Sequence, residues 1–352
     1  MRIVFLGLSI TSSWGNGHAT NYRALVRALR DRGHDVLFLE RDVPWYAAHR
    51  DAPAAGELYA SVDELRERFA GDVADADLVV IGSYVPDGVG VAEWALAAAG
   101  GAVAFYDIDT PVTLAKLAAG DAEYLVPDLV PRFDLYLSFT GGPTLRVLEE
   151  RWGARRARTF YCLVDERLYR PLEVERRWRL GYLGTYSHDR QPAVERLLLA
   201  PARQLPNERF VVAGPQYPRA VRWPANVEHL DHLAPAEHPA FYAAQAFTLN
   251  VTRADMLRAG WSPSVRLFEA AACAVPVISD AWDGLERFFV PGTEILIADD
   301  ARQVVRYLTQ IGEEERRAIG ERARRRVLAE HTAQRRAEEL ETYAHELVGA
   351  AA

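Results

Sequence analysis

Short apolar runs alternate with longer amphipathic stretches along most of the chain. Runs of this kind, rich in Val, Ile, Leu and Phe, are typical of strands buried on both faces of a parallel sheet. The stretches between them carry apolar residues at helical spacing, as Tyr22, Leu25 and Leu29 do within residues 21–32. In the first part of the chain the pattern predicts strands at residues 2–7, 35–40, 78–82, 102–106, 135–139 and 159–162.

A charged segment at residues 165–179 interrupts the alternation, contains a proline and lacks strand character. Beyond it the alternation restarts, and a charged helical stretch at residues 313–348 ends the chain. The predicted strands of this second series are residues 180–184, 209–213, 247–251, 275–279 and 294–297.

Two such series predict an α/β protein with two Rossmann-like parallel-sheet domains that face each other across a cleft. We place the first domain at residues 1–168 and the second at residues 169–331. The terminal helix, residues 332–352, is expected to pack back toward the first domain. Ligands of open parallel sheets bind at the carboxyl ends of the strands. Residues just after the strand ends are therefore the candidates for function.

Composition narrows the class of protein. The 352 residues carry a formal net charge of -8, which argues against a general binder of nucleic acid or membrane surfaces. No stretch offers ~20 apolar residues free of charge, and the N-terminal apolar run is too short for a signal peptide. Cys162 and Cys273 sit in apolar contexts without metal or redox spacing. We expect a cytoplasmic protein without a transmembrane segment or a nucleic-acid partner.

The segment at residues 261–280 carries the strongest candidate site. Ser262 is a plausible N-cap, and Pro263 suits the first helical position. Ser262, Arg266 and Glu269 would then share one face of the helix. A helix start and an arginine suit a diphosphate, and a carboxylate suits the paired hydroxyls of a ribose. The alternative is a capped surface helix with an internal ion pair, but the small residues that follow indicate burial, and a buried Arg and Glu need a reason.

A polar loop after the strand at residues 180–184 is the second candidate. Gly184 would let a ligand approach the backbone closely. Arg190 could pair with phosphate, and Thr185 and Ser187 could donate hydrogen bonds. A glycine at a strand end is also common in turns without function.

The loop after the first strand, residues 12–18, is longer than a turn requires. Gly15 and Gly17 permit close backbone approach. His18, placed just before a helix start, could act as a base or bind an anion, although a lone histidine is more often structural. The loop also holds Ser13, Trp14 and Asn16, which we expect to contact ligand with it.

Two aspartates follow the predicted strand at residues 102–106. Asp107 and Asp109 could hold a divalent cation through hard oxygen ligands or supply a general base. Asp109 or Thr110 could instead simply cap the next helix. The residues alone leave these alternatives open.

Together these stretches resemble GT-B glycosyltransferases, and specifically the CgeB-like, spore-maturation branch. GLSITSSWGNGHATNYRALVRAL and FYDIDTP resemble the N-terminal domain of that branch, and LVDERLYRP resembles the segment that enters the interdomain linker. GYLGTYSHDRQ, SPSVRLFEAAACAVPVISD and the longer stretch at residues 227–256 resemble its nucleotide-sugar domain. The similarity covers nearly the whole chain.

The resemblance implies the GT-B architecture and a role for Glu269 in holding the donor ribose, with Arg190 on the donor diphosphate. Two positions depart from the wider retaining group. Trp261 stands where a second glutamate often contacts the donor sugar, and Thr185 stands where an arginine is common. The anomeric outcome, inverting or retaining, is therefore left open. The donor-binding set that we expect is Gly184, Thr185, Arg190, Gly214, Asn250, Arg253, Ser262, Ser264, Arg266 and Glu269.

The predicted function is metal-independent transfer of a sugar from a UDP-, dTDP- or GDP-linked donor to an unidentified acceptor hydroxyl, without a cofactor. His18 and Asp109 are the candidates for the catalytic base. His18 leads for an inverting transfer because an ordinary histidine pKa of ~6.5 suits proton abstraction near neutral pH, whereas in a retaining transfer both become binding groups. The acceptor or cleft loop comprises Ser13, Trp14, Gly15, Asn16, Gly17 and Asp107.

Two other functions would suit the same architecture. A sugar-nucleotide 2-epimerase would need acids and bases around the sugar but no acceptor pocket. A non-catalytic nucleotide-sugar-binding protein would bind the donor without transferring or hydrolysing it.

Overall fold

The computed structural model describes residues 1–14 and 17–349, so Gly15 and Asn16 of the predicted opening loop lie outside the described residues. The chain forms two compact units. The first comprises Met1–Leu163 together with the last helix, and the second comprises Val164–Thr332. Among the described helices, none is both long and apolar enough to cross a membrane.

The first unit is built on a seven-stranded parallel sheet in the order β3-β2-β1-β4-β5-β6-β7. The order reverses between β1 and β4, which makes the carboxyl ends of these two strands the switch point of the sheet. The strands are β1 (Arg2–Gly7), β2 (Asp35–Arg41), β3 (Glu57–Tyr59), β4 (Leu78–Gly82), β5 (Ala102–Asp107), β6 (Leu135–Ser138) and β7 (Ala157–Thr159).

Helices cover both faces of this sheet, as continuous apolar strands require. Separate buried clusters lie on its two faces, one around Val4, Val79 and Phe105 and the other around Phe5, Val80 and Tyr106. The helices are α1 (Gly17–Asp31), α2 (Pro44–Ala47), α3 (Val62–Ala74), α4 (Gly88–Ala98), α5 (Thr110–Ala119) and α6 (Pro143–Glu150).

The second unit carries a six-stranded parallel sheet in the order β10-β9-β8-β11-β12-β13, with its switch point between β8 and β11. Its strands are β8 (Trp178–Leu183), β9 (Phe210–Ala213), β10 (Val227–Leu230), β11 (Gln245–Asn250), β12 (Val277–Ser279) and β13 (Leu296–Ile297). Its helices are α7 (Gln191–Val194), α8 (Ala200–Gln204), α9 (His238–Ala243), α10 (Ala254–Ala259), α11 (Val265–Ala272), α12 (Ala301–Gln310) and α13 (Glu313–Glu330). One π-helical turn, Glu195–Leu199, joins α7 to α8.

The charged stretch at the end of the chain forms two helices, because α13 ends before His331 and α14 (Ala333–Gly349) follows it. Helix α14 packs on α1 and buries one apolar stripe in the core of the first unit. The stripe has helical spacing, which is why a segment so charged still forms a core helix. Its buried members are Ala333, Ala337, Leu340 and Ala344.

Candidate functional site

Helix α11 begins two residues later than the sequence predicts. Its N-cap is Ser264, in an extended conformation, and the helix proper starts at Val265. The prediction that Ser262 caps the helix and Pro263 opens it is therefore wrong, and Ser262 is instead a buried residue of the preceding turn. The Ser264 side chain makes no capping hydrogen bond to the helix; its hydroxyl donates instead to Oδ1 of Asn250 at 2.8 Å, which ties the start of the helix to the end of β11.

Asn250 ties the start of α11 to the carboxyl end of β11. Its Oδ1 also accepts from Nη1 of Arg266 at 3.1 Å, while its amide donates to Ser279 at 3.0 Å. Arg266 in turn donates through Nε to the carbonyl of Leu183 and packs its guanidinium over the Tyr182 ring at 4.9 Å. The arginine predicted to bind a diphosphate is thus held between the ends of β8 and β11.

Two glycines allow the neighbouring loops to meet backbone to backbone. A Cβ on Gly184 would lie 2.6 Å from the Tyr182 hydroxyl and 2.9 Å from Nη2 of Arg266. Gly214 has a φ of +147°, and a Cβ there would lie 2.1 Å from the carbonyl oxygen of Gly184. Any side chain at these positions would displace Arg266 or separate the two loops.

Three arginines converge at this end of the second sheet. Burial lowers the pKa of Arg190, and the positive charges of Arg266 and Arg253 lower it further. Arg190 donates through Nη2 to the carbonyl of Thr185 at 2.7 Å. Its buried Nε and the buried hydroxyl of Tyr182 have no hydrogen-bond partner among the described residues. Clustered cations with buried, unsatisfied polar atoms are suited to an anion with several oxygens.

Glu269 lies one helical turn beyond Arg266 and is only 6% exposed. Its Oε2 accepts from the hydroxyl of Tyr242 at 3.1 Å. Tyr169 also forms a hydrogen bond with Glu269. Burial raises the pKa of both tyrosines, and the negative charge of Glu269 raises it further, to a smaller extent. The carboxylate is thus fixed by two neutral phenols. A fixed, buried carboxylate of this kind can accept hydrogen bonds from paired hydroxyls.

Trp261 occupies the position where the resemblance leads one to expect a glutamate. Its backbone is left-handed, with a φ of +44°, and its N–H donates to the carbonyl of Asp283 at 2.6 Å. Gly284 makes room for its indole, because a Cβ there would lie 2.5 Å from the ring. The departure from the family pattern is therefore built into a constrained turn.

In the first unit, Glu40 holds the loop that follows β1. This fully buried carboxylate at the end of β2 accepts from the backbone N–H groups of Ile10 and Thr11, at 2.6 and 2.8 Å, and from the Thr11 hydroxyl at 2.7 Å. The sequence gives one hint of this role, an acidic residue ending the apolar run VLFLE. Further along the loop, Ser13 binds Asp51 through its N–H at 3.1 Å, and Trp14 stacks on His49.

His18 lies inside the first turn of α1, which begins at Gly17, and not before the helix as predicted. Burial around its Nδ1 atom lowers its pKa to about 4, well below the ordinary value of 6.5 on which the expectation of a base rests. The imidazole is therefore neutral at neutral pH and only weakly basic. Its ring centre lies 5.7 Å from that of Tyr84.

Tyr84 connects the two residues proposed for catalysis, although the sequence gives no sign of it. It follows β4 at the switch point of the sheet, and its hydroxyl donates to Oδ2 of Asp109 at 3.2 Å. Its φ of +64° is unfavourable for a residue other than glycine. Strain of this kind persists where the surrounding structure imposes it, often at functional sites.

Asp107 lies beneath this group with no exposed surface. Its carboxylate accepts from Thr113 and from Tyr136, both at 2.6 Å. The pKa of Asp107 is raised to about 6, chiefly by burial. The hydrogen bonds from Thr113 and Tyr136 offset part of this rise, and the negative charge of Asp109 adds to it. The two carboxylates of the D-x-D therefore have different environments. Among the described residues, no group of three His, Cys, Asp or Glu side chains is arranged to hold a metal ion.

Asp107 should make the stability of the protein depend on pH. A carboxyl with a folded pKa of about 6 and an ordinary pKa of 3.8 binds more protons in the folded state than in the unfolded state between these values. Its contribution to the free energy of unfolding should therefore fall by about 3 kcal/mol as pH rises through this window. We expect Asp107→Asn to remove that fall, measured as the difference between variant and wild-type denaturant unfolding from pH 4 to 7.

The comparison with wild type is needed because His18 acts with the opposite sign. Its lowered pKa makes stability fall as pH drops from 6.5 to about 4, so the two effects partly cancel in the wild-type profile. The exposed Asp63 provides the control, since Asp63→Asn should leave the profile parallel to wild type. If the profile of Asp107→Asn also ran parallel to that of wild type, Asp107 would not be a buried carboxyl that holds a proton in this pH range.

Residues 190–342 match a family model described as glycosyl transferase-like. The chain has the GT-B fold, and this part of it is similar to a glycosyl transferase-like family. No curated protein sequence matches it. The predicted fold class of two parallel α/β sheets is confirmed.

Solved structures resemble this chain over nearly its whole length. Sucrose-phosphate synthase from Thermosynechococcus elongatus is 15% identical with a TM-score of 0.68, covering 99% of this chain and 100% of its own. Anabaena Alr3699/HepE in complex with UDP and glucose is 13% identical with a TM-score of 0.72, over 98% and 100%. An alpha-glucosyltransferase in complex with UDP-glucose and DNA containing an abasic site is 13% identical with a TM-score of 0.74, over 97% and 98%. At these identities the likeness establishes the fold.

The chain thus brings its predicted site residues together in two groups, one in each unit. In the first unit, His18 and Asp109 share the neighbour Tyr84, and Ser13 and Trp14 belong to the loop that Glu40 holds. Gly17 opens α1. In the second unit the predicted donor residues lie along the ends of β8, β9 and β11 and the start of α11: Gly184, Thr185, Arg190, Gly214, Asn250, Arg253, Ser262, Ser264, Arg266 and Glu269.

Proposed function

We propose that this chain is a glycosyltransferase that moves a sugar from a nucleoside-diphosphate sugar to an acceptor hydroxyl. The observation that carries the proposal is the group of Arg190, Arg253 and Arg266 beside the N-terminus of α11. A diphosphate offers the two negative groups and the acceptor oxygens that these guanidinium groups and helical N–H groups require. The unsatisfied Nε of Arg190 and hydroxyl of Tyr182 would gain partners on binding.

For the nucleoside, we propose a UDP-linked donor with its ribose on Glu269. Support comes from the Anabaena and alpha-glucosyltransferase structures, which are complexes with UDP or UDP-glucose. Glu269 is a carboxylate of fixed position one turn beyond Arg266, as bidentate binding of two ribose hydroxyls requires. Membership of the CgeB-like branch belongs to the same proposal and rests on the quoted motifs.

In the proposed step, the bond between the sugar C1 and the diphosphate oxygen breaks as a bond from C1 to the acceptor oxygen forms, and the acceptor hydroxyl loses its proton. The arginines and the start of α11 stabilise the negative charge that develops on the departing diphosphate. We therefore propose that transfer needs no metal ion. The weakly basic His18 suits a hydrogen-bonding role, and Asp109, oriented by Tyr84, is the better candidate to take the proton.

The test is a thermal-shift series with UDP, dTDP, GDP and ADP, run with and without excess EDTA. A nucleotide present at 100 times its Kd should stabilise the protein by about 2.7 kcal/mol, and we expect UDP to give the largest shift with EDTA present. A chain that no nucleotide stabilises would overturn the proposal. A shift lost in EDTA and restored by manganese or magnesium would overturn metal independence.

Incubation with UDP-glucose alone then separates transfer from the two other functions. A glycosyltransferase should release glucose and UDP slowly by using water as acceptor. An epimerase would return an epimerised donor, and a binding protein would leave the donor unchanged. Mass spectrometry with NMR of the products distinguishes the three results.

A further inference from the structure

Three aromatic side chains form a compact surface in the loops that follow β1 and β2 of the first unit. We call Trp14, Trp45 and His49 the aromatic platform. Trp14 stacks on His49 with ring centres 4.4 Å apart and planes 10° apart. Trp45 meets Trp14 edge to face, with ring centres 4.7 Å apart and planes 71° apart. Two indoles at this angle form an aromatic corner.

Two members of the platform, Trp45 and His49, are exposed, and Trp14 is half-buried. Trp45 exposes 57% of its surface and is the only aromatic among the large exposed hydrophobic side chains of the described residues. The others lie on different elements or in the second unit: Val147, Val174, Leu257 and Val290. Contiguous exposed apolar surface with a polar rim marks binding sites, and the Trp45 indole is continuous with the Trp14 and His49 rings. The patch is nevertheless confined to one corner, whereas a stable protein interface needs about 800 Å² on each partner.

Hydrogen bonds hold the platform in place. The Ser12 hydroxyl donates to the carbonyl of His49 at 2.9 Å, which ties the loop after β1 to the segment after α2. Ser13 and Arg23 both bind Asp51, two residues beyond His49. A site held by its own contacts loses little entropy when it binds a ligand.

The charges around the platform are already matched. Arg23 pairs with Asp51 and Arg50 with Asp42. A strongly anionic ligand would have to compete with these carboxylates for the two arginines. The chemistry therefore favours a neutral ligand with an apolar face and hydroxyl groups at its rim.

We infer that the aromatic platform binds a sugar ring of a neutral carbohydrate acceptor. The C–H face of a pyranose would lie on an indole, since its C–H hydrogens carry partial positive charge and the aromatic face is negative. Its rim hydroxyls would meet the polar groups beside Trp14, Ser13 and Asp51 among them. Trp14 and His18 are four residues apart, hence at most about 14 Å along the chain, so a bound saccharide could extend from the platform to His18.

This inference rests on the proposed function, because it names the class of acceptor that receives the transferred sugar. The test uses the full chain labelled with 5-fluorotryptophan. Each of the eight tryptophans of the chain gives its own fluorine resonance, and single Trp→Phe variants assign these resonances. Maltose, cellobiose and lactose are titrated in the presence of UDP. We expect at least one of them to shift the resonances of Trp14 and Trp45 selectively, and Trp45→Ala to weaken its affinity by about tenfold or more.

Trp152 provides a control, since it is a half-buried tryptophan of the first unit outside the platform and lies under Arg151 at 5.2 Å. Trp152→Phe should leave saccharide binding unchanged. The inference is wrong if UDP binds but no saccharide shifts the resonances of Trp14 or Trp45. It is also wrong if Trp45→Ala keeps the affinity for the saccharide. In both cases the proposed function stands. If Trp45→Ala instead abolishes self-association, the platform is an interface between copies of the chain. Failure of UDP to bind would show that the proposed function itself has failed.

Discussion

Replacing Arg266 by glutamine should weaken binding of UDP by about 30- to 100-fold, or roughly 2–3 kcal/mol. The guanidinium is held by the Leu183 carbonyl, by Oδ1 of Asn250 and by the Tyr182 ring, so it meets the diphosphate without reorganising. Glutamine keeps a polar end but loses the charge and the planar fork. Isothermal titration calorimetry on the folded variant measures the change, and uridine, which lacks phosphate, should lose little affinity.

Arg306 is a matched control because it also packs over a tyrosine, Tyr307, at 5.5 Å, but on helix α12. Arg306→Gln should leave UDP affinity unchanged. Arg266→Lys keeps the charge without the fork and should fall between glutamine and wild type. Unchanged UDP affinity in a folded Arg266→Gln variant would remove Arg266 from the diphosphate site.

Glu269→Gln should reduce UDP affinity by about 10- to 100-fold, the scale of a lost hydrogen bond between a charged carboxylate and paired hydroxyls. Tyr242 and Tyr169 should still hold the amide, so the fold should survive. The ribose makes a sharper measurement possible. Wild type should bind UDP more tightly than 2′-deoxy-UDP, and the variant should lose most of that preference.

The exposed Glu286 of the same unit serves as the control, because Glu286→Gln makes the same chemical change away from α11. It should alter neither the affinity for UDP nor the preference over 2′-deoxy-UDP. If Glu269→Gln binds UDP weakly but keeps the full preference, Glu269 stabilises the site without contacting the ribose hydroxyls.

The sequence predicted most of the two sheets because their central strands are buried on both faces and read as continuous apolar runs. The missed strands are β3 and β10, which both lie at sheet edges. Strand β10 buries only Val227 fully and exposes parts of Glu228 and His229. An edge strand with one covered face need not be apolar, so its sequence resembles a loop.

The site was predictable in its residue types and less so in its geometry. A serine followed by a proline suggested a cap at Ser262, but α11 begins at Val265, and the bond from Ser264 to Asn250, fourteen residues away, ties its start to the end of β11. Such long-range contacts leave no local pattern. The same holds for Glu40 and Tyr84, whose partners lie in the loops that follow β1 and β5, and for His18, whose pKa depends on burial that periodicity does not reveal.

The position of α14 sets the order in which the protein can fold during synthesis. Residues 1–163 leave the ribosome before the second unit exists, yet the stripe from Ala333 to Ala344 that completes their core is made only after the second unit. Domains usually fold as they emerge, N-terminal first. Here the first unit must wait through the synthesis of the whole second unit with the apolar side of α1 that faces α14 uncovered, so the nascent chain exposes an apolar surface that α14 later buries.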